Sequence, residues 1–135
     1  MAGYSGTPLW KKLGYADGTR ALALGAPPGY RDLLVLPEGT RVAWLRRLEP
    51  GVGFVHLFAA RAPALRSELE RLRRKVAPDG VVWVSWPKKA SGVETDITED
   101  TIRAVALPMG FVDVKVCAVD EVWSGLKLMV RRSER

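Results

Sequence analysis

The chain has 135 residues, 47% hydrophobic and 27% charged, a balance that suits one folded domain and argues against disorder. One cysteine, Cys117, excludes an internal disulfide framework, and with one histidine, His56, no Cys/His zinc site can be assembled. The net charge of +6 favours phosphates, nucleic acid or acidic partners, but the basic residues are scattered in pairs such as Lys11-Lys12, Arg46-Arg47, Lys88-Lys89 and Arg131-Arg132, so nucleic acid is not the favoured partner.

In chain order, Thr7 to Gly14 reads as a short helix with Thr7 as its cap, Pro8 at the first helical position and Gly14 as its stop. Residues 1–19 are therefore expected to form an N-terminal helical arm on a single α/β domain spanning 1–135. A first strand is expected over Arg20–Leu24, ending at Gly25, followed by the loop Ala26-Pro27-Pro28-Gly29 and a short helix over Tyr30–Leu34. Arg41–Leu45 and Gly53–Phe58 read as the next strands, and the continuous apolar run of the second suits a strand buried on both faces. Pro63–Val76 is the clearest helix, because Leu65, Leu69, Leu72 and Val76 recur on one face. Ala77-Pro78-Asp79-Gly80 is expected to end it. Val81–Trp86 then reads as a central strand and Pro87–Thr95 as a polar loop. Asp96 or Thr98 is the expected cap of the next helix, with Glu99 completing a capping box from Asp96, and Ile102, Val105, Ala106 and Met109 as its buried face. Phe111–Val119 and Gly125–Val130 read as a hairpin turning near Asp120–Trp123.

No apolar run reaches the roughly 18–20 residues of a membrane span. The segment Met1 to Gly6 lacks the basic-then-apolar pattern of a secretory signal. A cytoplasmic protein with no membrane partner is expected. Strands alternating with helices and finished by a hairpin imply an α/β fold, with a mostly parallel sheet, helices on both faces and an antiparallel C-terminal region.

Ligands in open α/β sheets collect beyond the C-terminal strand ends, which directs attention to the loop after Trp86. Lys88, Lys89, Ser91, Gly92 and Thr95 offer ammonium groups, hydroxyls and backbone amides to a phosphate or carboxylate; the same pattern suits a solvated connection. A second cluster is Asp120, Glu121, Trp123, Ser124 and Lys127. Adjacent carboxylates can hold a cation or act as a base, but adjacent residues on an extended chain point opposite ways, so an ordinary hairpin turn is favoured. Ser85-Trp86-Pro87-Lys88 and Ser124-Gly125-Leu126-Lys127 match the spacing S-x-x-K, which needs a helix and falls here on strands; both are rejected. His56 is expected to be a buried, hydrogen-bonded structural residue, and Cys117 an inert thiol.

From Val55 onward the order of strand, helix, strand, loop, helix, strand, strand, with the turn Ala77-Pro78-Asp79-Gly80 before Val81-Val82-Trp83-Val84, resembles the C-terminal half of class I S-adenosylmethionine-dependent methyltransferases. The resemblance implies a shortened Rossmann-like sheet. It also implies a glycine-rich turn after the first strand and an acidic residue near the end of the second, where the cofactor's ribose would bind. This chain has Gly25-Ala26-Pro27-Pro28-Gly29 at the first place and Arg46-Arg47 at the second. Two prolines remove two backbone donors, so no cofactor is expected. Arg46 and Arg47 become further candidates for an anionic group. Through the stretches Trp83–Gly92 and Val114–Lys127 the whole chain also resembles a small bacterial family known as a domain of unknown function. The expected role is a non-catalytic binding or accessory module for an anionic small molecule or a protein partner. A methyltransferase with a degenerate cofactor loop and a nucleic-acid-binding protein are the alternatives. No metal site and no catalytic residue are assigned.

Overall fold

The computed structural model describes residues 6–135. Apolar runs separated by turn residues become six strands: β1 (Arg20–Leu24), β2 (Ala43–Trp44), β3 (Val52–Phe58), β4 (Val76–Pro87), β5 (Phe111–Ala118) and β6 (Trp123–Val130). They form one sheet in the order β2-β1-β3-β4-β6-β5. β2, β1, β3 and β4 run parallel, β6 is antiparallel to β4, and β5 is antiparallel to β6. Among the described residues there are four α-helices: α1 (Leu9–Leu13) before β1, and α2 (Tyr30–Leu33), α3 (Ala62–Lys75) and α4 (Glu99–Ala106) between strands. The expected α/β architecture, parallel with an antiparallel C-terminal hairpin, is the one observed.

Side chains alternate across each strand and so build a core on each side of the sheet. Leu22, Val55, Leu57, Val82, Val84, Leu126 and Leu128 face α3 and α4, whose Leu65, Leu69, Leu72, Ile102, Val105 and Ala106 complete an aliphatic core. Ala21, Phe54, Phe58 and Trp83 face the other way, toward Leu9 and Leu13 of α1 and Tyr30 and Leu34 around α2. Tyr15 packs there too, its ring centroid 4.2 Å from that of Phe54, and the Trp83 indole N–H donates to the Leu13 carbonyl at 2.8 Å. These contacts fix residues 9–15 of the expected arm on the sheet; residues 1–5 of it lie outside the described residues.

Several boundaries differ from expectation, each for a local reason. Pro8, not Thr7, caps α1, with no side-chain bond, while Gly14 ends the helix in the left-handed region at φ 95° as its position suggested. β2 shrinks to two residues, since only Ala43 and Trp44 pair with β1, opposite Arg20 and Ala21. Residues 77–80 do not form a free turn: β4 begins directly at Val76, opposite Val52, with a register shift before Val81. Thr98, not Asp96, caps α4, in a reciprocal box with Thr101. Asp96 caps a different helix, its carboxylate accepting from the Ala62 N–H at the start of α3 at 2.7 Å. Glu99 pairs instead with Arg103 at 2.8 Å, and Arg103 reaches across to Asp113 of β5 at 2.9 Å.

Candidate functional site

The parallel strands deliver their C-terminal ends to one edge of the sheet, together with the hairpin turn that precedes β6. The turn after β1 borders a depression of about 470 Å³, lined by Pro27, Gly29, Tyr30, Arg31 and Asp32 among others, but it is poor in backbone donors. Gly25 has φ +67°, and a Cβ there would meet the Phe58 carbonyl oxygen at 2.8 Å, so its glycine is consumed by packing against β3. Pro27 and Pro28 supply no N–H, and the Tyr30 N–H turns back to the Pro27 carbonyl at 3.2 Å. Beyond β2, Arg46 and Arg47 are exposed, and the nearby carboxylate, Glu49, is bound to Arg20 at 3.0 Å. A ribose-binding acid and a run of free backbone donors are thus both missing from the places where this fold holds a nucleoside cofactor. The residues present do not fit S-adenosylmethionine in its usual pose.

A second cleft, of about 560 Å³, opens beyond β4, lined by Trp86, Pro87, Lys89, Val93, Thr95 and Ile97 among others. Trp86 and Ile97 form an apolar floor that belongs to the aliphatic core. The loop around it is built by its own polar groups. Ser91 Oγ donates to the Lys88 carbonyl at 2.6 Å and accepts from the Val93 N–H at 3.1 Å. Thr95 Oγ donates to the Ala60 carbonyl at 2.7 Å and accepts from the Ile97 N–H at 3.0 Å. Lys88 Nζ donates to the Asp120 carbonyl at 2.6 Å, tying the loop to the hairpin. Gly92 takes φ 77° to end the short 3-10 turn Lys89–Ser91. Of the residues read as an anion site, Ser91, Thr95 and Lys88 hold the loop's shape. Lys89 is exposed on the cleft rim and makes no ion pair or side-chain hydrogen bond among the described residues.

The structure does not join Arg46 and Arg47 to this cleft. They line a separate depression of about 510 Å³ with Trp44, Leu45 and Glu49, and β2 is separated from β4 by β1 and β3. Beside it, the Arg31 guanidinium lies 4.6 Å from the centre of the Trp44 ring, a cation–π contact. The second cluster also disperses. The Asp120 carboxylate accepts from the Val122 and Trp123 N–H groups at 2.8 and 2.7 Å, so it makes the hairpin turn. Glu121 is exposed. Trp123 packs edge-on against Phe58 at 5.1 Å. Ser124 lies opposite Trp86 and Lys127 opposite Trp83, on different faces of the sheet. Among the described residues, no group of His, Cys, Asp or Glu is arranged to hold a metal ion.

Sequence reasoning missed the most ordered polar feature. Tyr15 Oη lies 2.7 Å from Tyr30 Oη, Tyr30 Oη 2.6 Å from His56 Nδ1, and His56 Nε2 2.7 Å from Ser85 Oγ. The chain of bonds crosses from the helical arm through α2 and β3 to β4. His56 and Ser85 have no exposure, and burial pushes the His56 imidazole down to about 3, so it is neutral at ordinary pH. Burial likewise raises both tyrosines far above their usual range. The Ser85–His56–Tyr30 geometry resembles a nucleophile–base–orienter series, but Ser85 is sealed in the core. A Cβ on the neighbouring Gly125 would lie 3.3 Å from its Oγ. The series therefore satisfies buried polar groups and locks elements together. His56 is structural, as its place in an apolar strand indicated, and Cys117 is half-buried with its thiol pushed up by burial.

No helix of the described residues is long and apolar enough to cross a membrane. No protein-family model matches the chain, and no curated protein matches it in sequence. Solved structures do match. A SAM-dependent methyltransferase from Aquifex aeolicus superposes with a TM-score of 0.63 at 15% identity, covering 89% of this chain and 86% of that one. A ribosomal protein L11 methylase from Lactobacillus delbrueckii subsp. bulgaricus gives 0.57 at 10% identity, with 90% and 74% covered. An Aeropyrum pernix fibrillarin with natively bound S-adenosyl-L-methionine gives 0.54 at 16% identity, with 84% and 67% covered. At such identities the likeness establishes fold alone: the chain carries a methyltransferase-like Rossmann sheet.

Proposed function

We propose that this protein is a binding module that takes an anionic small molecule in the cleft beyond β4, with no methyl transfer. The observation that supports it is the contrast along one sheet edge. The depression beside the turn after β1, about 470 Å³, is lined mainly by polar groups around Pro27, Gly29, Tyr30 and Asp32, with the Arg31 charge stacked on Trp44, while the cleft beside Trp86 has an apolar floor and an unpaired ammonium at its rim. Lys89 supplies the charge contact, and Trp86, Val93 and Ile97 cover the apolar part of the ligand. Lys88, Ser91 and Thr95 act by shaping the loop.

The test is a ligand-observed NMR screen and calorimetry with inorganic phosphate, aromatic carboxylates and nucleoside monophosphates. A ligand of this kind is expected to bind the native chain, and Lys89→Ala to weaken it about tenfold, or 1.4 kcal/mol. Absence of binding by all three classes, or binding indifferent to Lys89→Ala, removes the site.

A second reading is favoured by the strand order and by neighbours whose names state S-adenosylmethionine-dependent methylation: an enzyme holding that cofactor in an unusual pose. Calorimetry separates the two. S-adenosylmethionine binding tighter than about 100 μM, roughly 5–6 kcal/mol, would promote the enzyme over the module.

A further inference from the structure

On the aromatic side of the sheet, α1 and α2 cover Ala21, Phe54, Phe58 and Trp83, but a strip across the β5–β6 hairpin has a different character. Lys127 of β6 lies directly opposite Lys115 of β5, and Met129 opposite Val112. Opposed residues of an antiparallel pair share a face with Cβ atoms about 5 Å apart, and like charges so placed repel. Neither lysine has a carboxylate partner among the described residues. The acidic residue of this stretch, Asp113, lies opposite Leu128 on the other face and is bound to Arg103. Lys12 of α1 adds a third positive charge in the field of Cys117, which neighbours Lys115 on the same face. Burial and the charge of Lys115 hold the Lys127 ammonium below the usual lysine range. Met129 and Val112 are half-buried and belong to neither core.

We propose that this strip, carrying Lys115, Lys127, Met129 and Val112, is a docking surface for an acidic amphipathic helix of a partner protein. Charge complementarity selects the occupant. A lysine pair with no counter-ion costs stability in the free chain and is compensated when carboxylates approach. The apolar residues beside it suit the leucine stripe of a helix better than a phosphate backbone. The dimensions agree: the two hairpin strands lie about 4.8 Å apart, so one helix about 10 Å in diameter covers both. The surface lies on the opposite side of the sheet from the cleft at Trp86 and does not depend on it.

The probe is a synthetic amphipathic helical peptide with a leucine stripe flanked by glutamates, titrated into the full chain and followed by NMR. Shifts are expected at the Met129 ε-methyl and at the Lys115 and Lys127 amides, with affinity reduced about tenfold or more by the Lys115→Glu, Lys127→Glu double variant. Shifts confined to Arg46 and Arg47, equal binding of a peptide with lysines in place of the glutamates, or stronger perturbation of the same resonances by single-stranded RNA would overturn the proposal. A variant that keeps side-chain length guards against loss of fold. Lys127→Met is expected to raise the melting temperature by about 1–4 °C through relief of repulsion. A fall would mark Lys127 as a structural residue and end the argument.

Discussion

The two faces of the sheet are held by different chemistry. Toward α3 and α4 the contacts are aliphatic, from Leu65, Leu69, Leu72, Ile102 and the facing valines and leucines. Toward α1 and α2 they are aromatic and threaded by the hydrogen bonds from Tyr15 to Ser85. An aliphatic core needs only shape and volume, and its cost of damage is local. A buried polar series needs every member, since removing one leaves its neighbour unsatisfied. The short α1 and α2 contribute little helix of their own, so the second kind of core is what holds the arm in one place.

Four measurements sharpen or break this contrast. The largest effect falls on the aliphatic side: Leu69→Ala, at a fully buried site, is expected to lose about 3–4 kcal/mol by chemical denaturation. An unchanged midpoint would show that α3 does not anchor the domain. The next is a pH effect on the aromatic side. His56 has a folded value near 3 against 6.5 unfolded, so the unfolded chain binds the extra proton between those limits. Stability is then complete above about pH 6.5 and declines as the pH falls, by up to about 1.4 kcal/mol per pH unit. The interval from pH 6.5 to about 5 isolates His56, because Asp113, held below the ordinary carboxylate value of 3.8 by Arg103, starts to lose its contribution only below about pH 5. Leu69→Ala should keep this slope and His56→Gln should abolish it; a flat wild-type profile in that interval refutes the buried neutral imidazole.

Third, Tyr30→Phe leaves His56 Nδ1 and the Tyr15 hydroxyl without their partner. A loss of about 2 kcal/mol is expected, with proteolysis near residues 14–19 accelerated if the arm is freed. The smallest effect is a gain. Val35 follows α2 with φ 54° and is 67% exposed, a conformation poorly suited to a β-branched residue. Val35→Asn is expected to add about 0.5–1 kcal/mol, and a loss would mean that the valine makes a contact worth more than the strain.

Much of the fold was legible from periodicity alone. The leucine spacing of α3 and the apolar runs of β3 and β4 depend on local pattern, and they fell where expected within a residue or two at most ends. The caps were harder. Asp96 and Thr98 both have the chemistry of an N-cap, and only the approach of Ala62 decides that Asp96 serves α3. The polar series was invisible because its members lie 15, 26 and 29 positions apart, and tyrosines beside turns give no sign of pointing inward. The site was half legible. The end of the central strand was the right place to look, but a list of hydroxyls and ammonium groups does not say which are already bound to backbone carbonyls. Ser91, Thr95 and Lys88 are; Lys89 is not.

The attachment of the cleft loop to α3 carries one more implication. Asp96 receives the Ala62 N–H, and Arg61 meets Glu94 at 3.0 Å, so the wall of the cleft and the opening turn of α3 are fastened together. By thermodynamic linkage, whatever steadies that wall must also protect that turn. Deuterium uptake at the amides of residues 62–65 thus becomes a remote gauge of occupancy, readable without labelling the ligand or knowing in advance what it is.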